Sequence, residues 1–249
     1  MSTPLRLGIA GLGTVGIGVV KIIRRHAALL EARTGKKIEI SAISARSRSK
    51  DRGVPLDSYA WEDDPVVLAQ RDDVDVFVEL MGGSDGPAKA ATEAALAAGK
   101  DVVTANKALL AHHGQDLAEA AESQNAVLRF EAAVAGGIPV IKALTEGLAG
   151  NEMTRIMGVF EEANQLGYLE ADPNLDVGGI DAGHKLSLLA SIAFGTKVNF
   201  DAVELEGIGR ISIEDIRHAA DMGYKIKLLG VTQMTGRGLE QRMTPCLVP

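Results

Sequence analysis

The run Gly11-Leu12-Gly13-Thr14-Val15-Gly16 constrains this chain more than any other feature, because it stands between two segments of different period. Before it, Leu5 to Ala10 is an apolar run of strand length. After it, apolar residues recur at helical spacing from Thr14 to Leu30. Strand, glycine turn and helix in immediate succession open a βαβ unit. The three glycines then play different parts. Gly11 permits the turn, Gly13 lets a pyrophosphate approach the backbone, and Gly16 lets the helix pack closely. The free amides and positive end of the helix meet the phosphate charge. A dinucleotide site is the reading this context favours over a glycine turn that serves only the fold.

The rest of the first half continues the same pattern. Ile38 to Ala45, Val74 to Leu80, Asp101 to Val103 and Val127 to Phe130 read as further strands, and Pro87 opens an alanine-rich helix over Ala88 to Ala98. Trp61-Glu62-Asp63-Asp64-Pro65 reads as a helix entry capped by Asp64 or Asp63, with Trp61 expected to pack rather than to stack on a base. The order predicts an α/β architecture: a mostly parallel, Rossmann-type sheet over residues 1–130, followed by a second, α+β domain over 131–249. Where an NAD-preferring site places an acid, the second strand ends in Ala45-Arg46-Ser47-Arg48-Ser49-Lys50. Arg46 is the best candidate for a ribose 2'-phosphate, which favours NADP(H) while leaving NAD(H) open. Arg48 and Lys50 read equally well as solvated loop charges. Thr104-Ala105-Asn106-Lys107 follows the fourth strand, where side chains reach the nicotinamide side of a crevice; Asn106 either meets the cofactor or caps the next helix.

Composition removes several function classes. With 46 % hydrophobic residues in 249, the chain can bury a core, and a net charge of -7 without a basic tract argues against nucleic acid as a main partner. No apolar run approaches the ~18 residues that would suggest a membrane span, and no basic leader precedes an apolar stretch, so a cytoplasmic protein is expected. Cys246 is the only cysteine, which rules out an intrachain disulfide and fits a structural thiol. The adjacent His112 and His113 diverge around a helix and cannot chelate from one face.

In the second half the informative run is Gly167 to Lys185, rich in turn residues and acids at first, then helical from Asp181 to Phe194. Asp181 and Lys185 lie four apart on one helical face, an arrangement open to a simple ion pair. The excess of acids over bases also suits a pocket for a substrate ammonium, bound by Glu170 and Asp176. Lys185 would then exchange a proton with a carbonyl or alkoxide oxygen, with Asp181 orienting it. His184 reads as structural, and Asp172-Pro173 as a turn. Farther on, Ala202 to Leu205 reads as a strand, Ser212 to Ala220 as a helix capped by Ser212 with Asp215 three residues later, and Tyr224 to Thr232 as a strand.

These residues closely resemble those of the homoserine dehydrogenase family. The resemblance covers nearly the whole sequence and rests on Gly11 to Gly16, Met81-Gly82-Gly83, Thr104 to Lys107, Glu131 to Pro139 and Gly167 to Lys185, the last two being the most specific. It implies reversible NAD(P)-dependent interconversion of L-homoserine and L-aspartate 4-semialdehyde, in threonine, methionine and isoleucine synthesis, by a homodimer whose second domain carries substrate site and interface. On it, Lys185, Lys107 and Asp181 are catalytic, and Glu170 and Asp176 bind substrate. Gly11, Gly13, Thr14, Val15, Gly16, Arg46, Gly82, Thr104 and Lys107 meet the cofactor. Glu131, Val134, Gly136 and Ile138 form a site for sodium or another monovalent cation, mainly through main-chain oxygens. Two departures stand out. After Met157-Gly158-Val159 the family continues into a loop of about twenty residues that helps enclose substrate, whereas this sequence passes to Phe160-Glu161-Glu162. It also stops at Pro249, before the family segment that returns to the nucleotide-binding region. A catalytically impaired cofactor-binding or regulatory remnant, or a dehydrogenase for another small amino-acid aldehyde, are the alternatives.

Overall fold

The computed structural model describes residues 3–159 and 178–249. They form two compact units, one running to Ala133 and the other starting at Val134. The first unit is built on six strands: β1 (Leu5–Ala10), β2 (Ile38–Ser44), β3 (Ala60–Glu62), β4 (Val76–Glu79), β5 (Asp101–Thr104) and β6 (Leu128–Arg129). They lie in the order β3-β2-β1-β4-β5-β6, every neighbour parallel. Growth from β1 in one direction and from β4 in the other puts the topological switch point between those strands, at whose carboxyl ends ligands of such sheets bind.

The strands are joined by helices α1 (Thr14–Arg25), α2 (Ala27–Thr34), α3 (Pro65–Gln70), α4 (Pro87–Ala97) and α5 (Lys107–Ser123). Side chains alternate across the sheet, so Leu7, Ile9, Val76 and Val78 share one face, and there they pack with Ile17 and Val20 of α1. Phe77 and Val102 belong to the opposite face, where Gly8 allows the close approach of α3. A Cβ at Gly8 would lie 3.3 Å from Leu68 and 3.0 Å from Val74. α3, α4 and α5 follow one another in contact on that side. On the α1 side, Val15, Val19, Val76, Val78, Val103 and Val127 line an apolar cleft of about 440 Å³.

The expected strands and helices of this unit are present, with two differences. The helix expected from Thr14 to Leu30 breaks at His26, whose φ of -112° and ψ of 18° leave the α region. The entry at Trp61 is a short strand first: Ala60–Glu62 pairs with β2, and Asp64 then caps α3 by accepting the Val66 N–H. Trp61 packs against the α1-side core as expected. Arg6 and Asp75 pair at 2.6 Å near the amino ends of β1 and β4, and the Arg6 guanidinium holds the Asp75 carboxyl below the usual range.

The second unit begins with α6 residue Val134 (α6, Glu131–Val134) and α7 (Val140–Lys142), then a π-helical turn over Ala143–Gly147. Its sheet contains β7 (Arg155–Val159), β8 (Glu204–Leu205), β9 (Lys225–Thr235) and β10 (Gly238–Val248) in the order β7-β9-β10-β8. β9 is antiparallel to both its neighbours, while β8 runs parallel to β10. β7 and β10 are absent from the strands expected above, and Phe200–Ala202 is a 3-10 turn ahead of a shorter β8. Helix α8 (Ile180–Phe194) is apolar almost all round and packs on β9 and β10; Ala182, Leu186, Val203 and Met243 form its core with Phe200 and Leu228. Helix α9 (Ile213–Asp221) carries the expected capping box between Ser212 and Asp215. Among the described residues, no helix is long and apolar enough to cross a membrane.

The tightest contact tests the first unit. A Cβ at Gly16 would fall 1.9 Å from the Gly11 carbonyl oxygen, with no flexible side chain to yield. Gly16→Ala is therefore expected to destabilise by about 2–3 kcal/mol, measured by denaturant unfolding, despite alanine's better helix propensity.

Candidate active site

In the first unit the candidate residues gather at the carboxyl ends of β1, β4 and β5. Gly11 has φ of 95°, and a Cβ there would meet the Leu80 carbonyl oxygen at 2.3 Å, so the turn after β1 and the loop after β4 touch backbone to backbone. Gly13, by contrast, has nothing within 4 Å of its Cβ position. It precedes α1 without any side-chain cap, leaving the amides of the first helical turn, those of the exposed Thr14 and Val15 among them, without a side-chain acceptor. Gly82 also has a positive φ, of 80°, and an empty Cβ position. Two backbone segments thus offer room for a ligand, and Gly11 joins them. The turn fits the pyrophosphate of a dinucleotide.

Behind the loop after β4 lies a residue that the sequence pattern did not single out. Glu79 closes the apolar run of β4, is fully buried, and pairs in register with Ala10 on one side and Thr104 on the other. Its Oε1 accepts the Met81 N–H at 2.7 Å and the Gly82 N–H at 3.2 Å, while its Oε2 accepts the Thr104 hydroxyl at 2.6 Å. Thr104 in turn accepts the Asn106 N–H at 2.9 Å. Asn106 caps α5 by accepting the Leu109 N–H, and its amide donates to the Gly83 carbonyl at 2.7 Å. Of the two roles open to Asn106, capping is therefore filled. The hydroxyl of Thr104 is engaged within the protein, and Lys107 begins α5 directly beside this network. A charged residue ending an otherwise apolar strand was the signal that could have singled out Glu79.

At the end of β2, Arg46 is exposed, two residues beyond Ser44. Arg52, also unremarked in the sequence, ties this loop together: its guanidinium donates to the carbonyls of Leu12 at 3.2 Å, Ser47 at 2.6 Å and Lys50 at 2.9 Å. Arg48 and Arg52 both lie over the Trp61 ring, 5.9 and 5.7 Å from its centroid. Beyond the β4 loop, the His113 ring and the Ser84 hydroxyl both bond Asp85, whose carboxyl they hold below its ordinary range.

In the second unit Asp181 and Lys185 form the i,i+4 pair expected from their spacing, at 2.7 Å, with both side chains mostly shielded from water. The acid precedes the base, the better orientation along a helix. His184 is buried, its ring tilted against Phe200 with centroids 4.3 Å apart, and Gly183 lets α8 pass that ring, since a Cβ would stand 3.1 Å from it. Glu170 and Asp176, expected at the substrate, lie outside the described residues. Of the expected cation ligands, Glu131 opens α6 and Val134 closes it, while Gly136 and Ile138 follow in a turn where the Ile138 N–H bonds the Ala135 carbonyl at 2.9 Å.

Comparison with known proteins covers both units. Residues 11–131 match the model of the homoserine dehydrogenase NAD-binding domain, and residues 159–249 match the homoserine dehydrogenase model. A homoserine dehydrogenase from Neisseria gonorrhoeae is 46 % identical over 268 positions, covering 99 % of this chain and 61 % of the relative. Since 268 positions exceed the 249 residues by 19, at least that many positions of the relative have no counterpart here. A crystal structure from Thiobacillus denitrificans superimposes with a TM-score of 0.92 at 38 % identity, covering 99 % of this chain and 62 % of that one. A putative homoserine dehydrogenase from Archaeoglobus fulgidus gives 0.80 at 30 %, covering 98 % and 84 %. The chain thus spans a little over three fifths of the first two relatives. With a nucleotide turn of the right build and matches to both units, the chain belongs to the homoserine dehydrogenase family.

Proposed function

We propose that this chain carries out the reaction of its family, the reversible NAD(P)-dependent interconversion of L-homoserine and L-aspartate 4-semialdehyde, within threonine, methionine and isoleucine synthesis in the cytoplasm. The observation that carries the reading is the open, uncapped start of α1 at Gly13 inside a matched NAD-binding domain. The bound nicotinamide supplies or takes up the hydride. Everything else falls to the protein. Gly11, Gly13 and Gly16 shape the turn, and the Thr14 and Val15 amides face the pyrophosphate, with Gly82 and the Thr104 backbone bordering the crevice. Arg46, with no acid at the end of β2, favours a 2'-phosphate and hence NADP(H).

On the substrate side, Lys185 at Nζ gives a proton to the aldehyde oxygen during reduction and recovers it during oxidation. Asp181 holds that ammonium in place, and its close pairing with Lys185 supports the assignment. Lys107 acts beside substrate and nicotinamide, and Glu170 and Asp176 take the substrate ammonium, on the family pattern. Main-chain oxygens of Val134, Gly136 and Ile138, with Glu131, hold a monovalent cation. The outer face of the second sheet, where Met157, Val159, Leu229, Cys246 and Val248 border a cleft of about 400 Å³, supports a homodimer formed through that unit.

The test is nicotinamide absorbance with purified chain, L-homoserine and either NADP+ or NAD+. Turnover with a preference for NADP+ is expected; tight cofactor binding with no turnover at any homoserine concentration sinks the proposal. Lys185→Ala should lose about 10²–10⁴-fold in kcat while NADPH affinity holds. For Gly13→Ala the opposite pattern is expected, because the backbone at φ -78° accepts alanine and no protein atom is near. Its unfolding free energy should stay within about 0.5 kcal/mol of the parent, while its Kd for NADPH rises by an order of magnitude or more.

A further inference from the structure

The geometry points to Glu79 as a positioning residue that sets the nicotinamide half of the cofactor crevice, by fastening the loop after β4 to the loop after β5. The proposal rests on the cofactor reading given above. Glu79 is wholly buried, and among the described residues no lysine, arginine or histidine is bonded to its carboxylate. A carboxylate removed from water without a cation is costly unless its oxygens are filled by donors. Here the donors are all parts of the candidate site: the amides of Met81 and Gly82 on one oxygen and the Thr104 hydroxyl on the other. Ala10, opposite Glu79 in the register, supplies the small neighbour beside which the side chain lies.

The result is a closed loop of bonds. Glu79 holds the start of the segment Met81-Gly82-Gly83, and Asn106 holds its end through the Gly83 carbonyl. Thr104 links the two holders by donating to Glu79 and accepting from the Asn106 amide. Gly82 and Gly83, at φ of 80° and 88°, take a backbone path that other residues resist, and the Glu79 bonds hold the chain there. The segment abuts Gly11 through Leu80, while its neighbour across the network is the start of α5 with Lys107. Glu79 therefore fixes how far the β4 loop stands from the β5 loop. It has no direct part in holding the adenosine end, which belongs to the turn at Gly13 and the loop at Arg46.

Glu79→Gln replaces one acceptor by an amide donor of the same shape. Either the loop amides or the Thr104 hydroxyl then loses its acceptor, and the tie between the two loops weakens. The readout is the Kd, by calorimetry, for NADPH and for 2',5'-ADP, a fragment that spans only the adenosine half. Glu79→Gln is expected to weaken NADPH about tenfold, in keeping with one lost buried hydrogen bond, while 2',5'-ADP affinity stays within about twofold. Thr104→Val, which deletes the linking hydroxyl with little change of volume, should give the same selective loss, and it decides the matter if Glu79→Gln does not fold. Equal weakening of both ligands marks a merely structural role and overturns the proposal, as does unchanged affinity for both. If the unmodified chain binds NADH in their place, NADH and 5'-AMP give the same comparison; if it binds no nicotinamide dinucleotide, the function reading falls and this inference with it.

Discussion

The first unit depends on backbone meeting backbone at Gly11. Its carbonyl oxygen receives the start of α1 so closely that Gly16 has no room for a side chain, and its own α-carbon faces the Leu80 carbonyl at a distance that excludes one. Three segments therefore meet with nothing between them: the turn after β1, the first turn of α1 and the loop after β4. Close packing of this sort is unforgiving, since main-chain atoms cannot rotate away as a leucine tip can. The same crowding leaves Gly13 and Gly82 facing outward. What is lost in tolerance at two glycines appears as an uncapped helix start beside Gly13 and as open space beside Gly82.

The second unit reaches its charged pair by a different route. Asp181 and Lys185 are one helical turn apart, so their meeting follows from α8 being a helix. The burial of that helix against β9 and β10, with Gly183 passing the Phe200 ring, removes the pair from bulk water and makes the interaction count for more than it would on a surface.

Much of this was legible in the amino-acid order. The period change around Gly11, the apolar runs of β1, β2, β4 and β5, the cap at Asn106, the capping box at Ser212 and the spacing of Asp181 from Lys185 are local signals, and local geometry answers them. β3, β7 and β10 were not legible. β3 is three residues long at a sheet edge, and the alternation in β10 is blurred by Arg242 and Pro245, which take their places only because β9 pairs along the whole strand. The charge that ends β4 marks Glu79 in the sequence, but the roles of Glu79 and Arg52 were not legible either. Their importance lies in donors and acceptors from other segments, 25 residues away for Thr104 and 40 for Leu12, and no short-range pattern announces such partners.

The apolar cleft on the α1 side of the first sheet has a practical consequence. Val15, Val103 and Val127 each keep roughly two fifths to one half of their surface in water beside the strands of that face. Surfaces of this kind adsorb amphiphilic dyes and detergents in the native state. A dye-reported melt of this chain would therefore start from a raised fluorescence baseline, and circular dichroism would give the cleaner record of its unfolding.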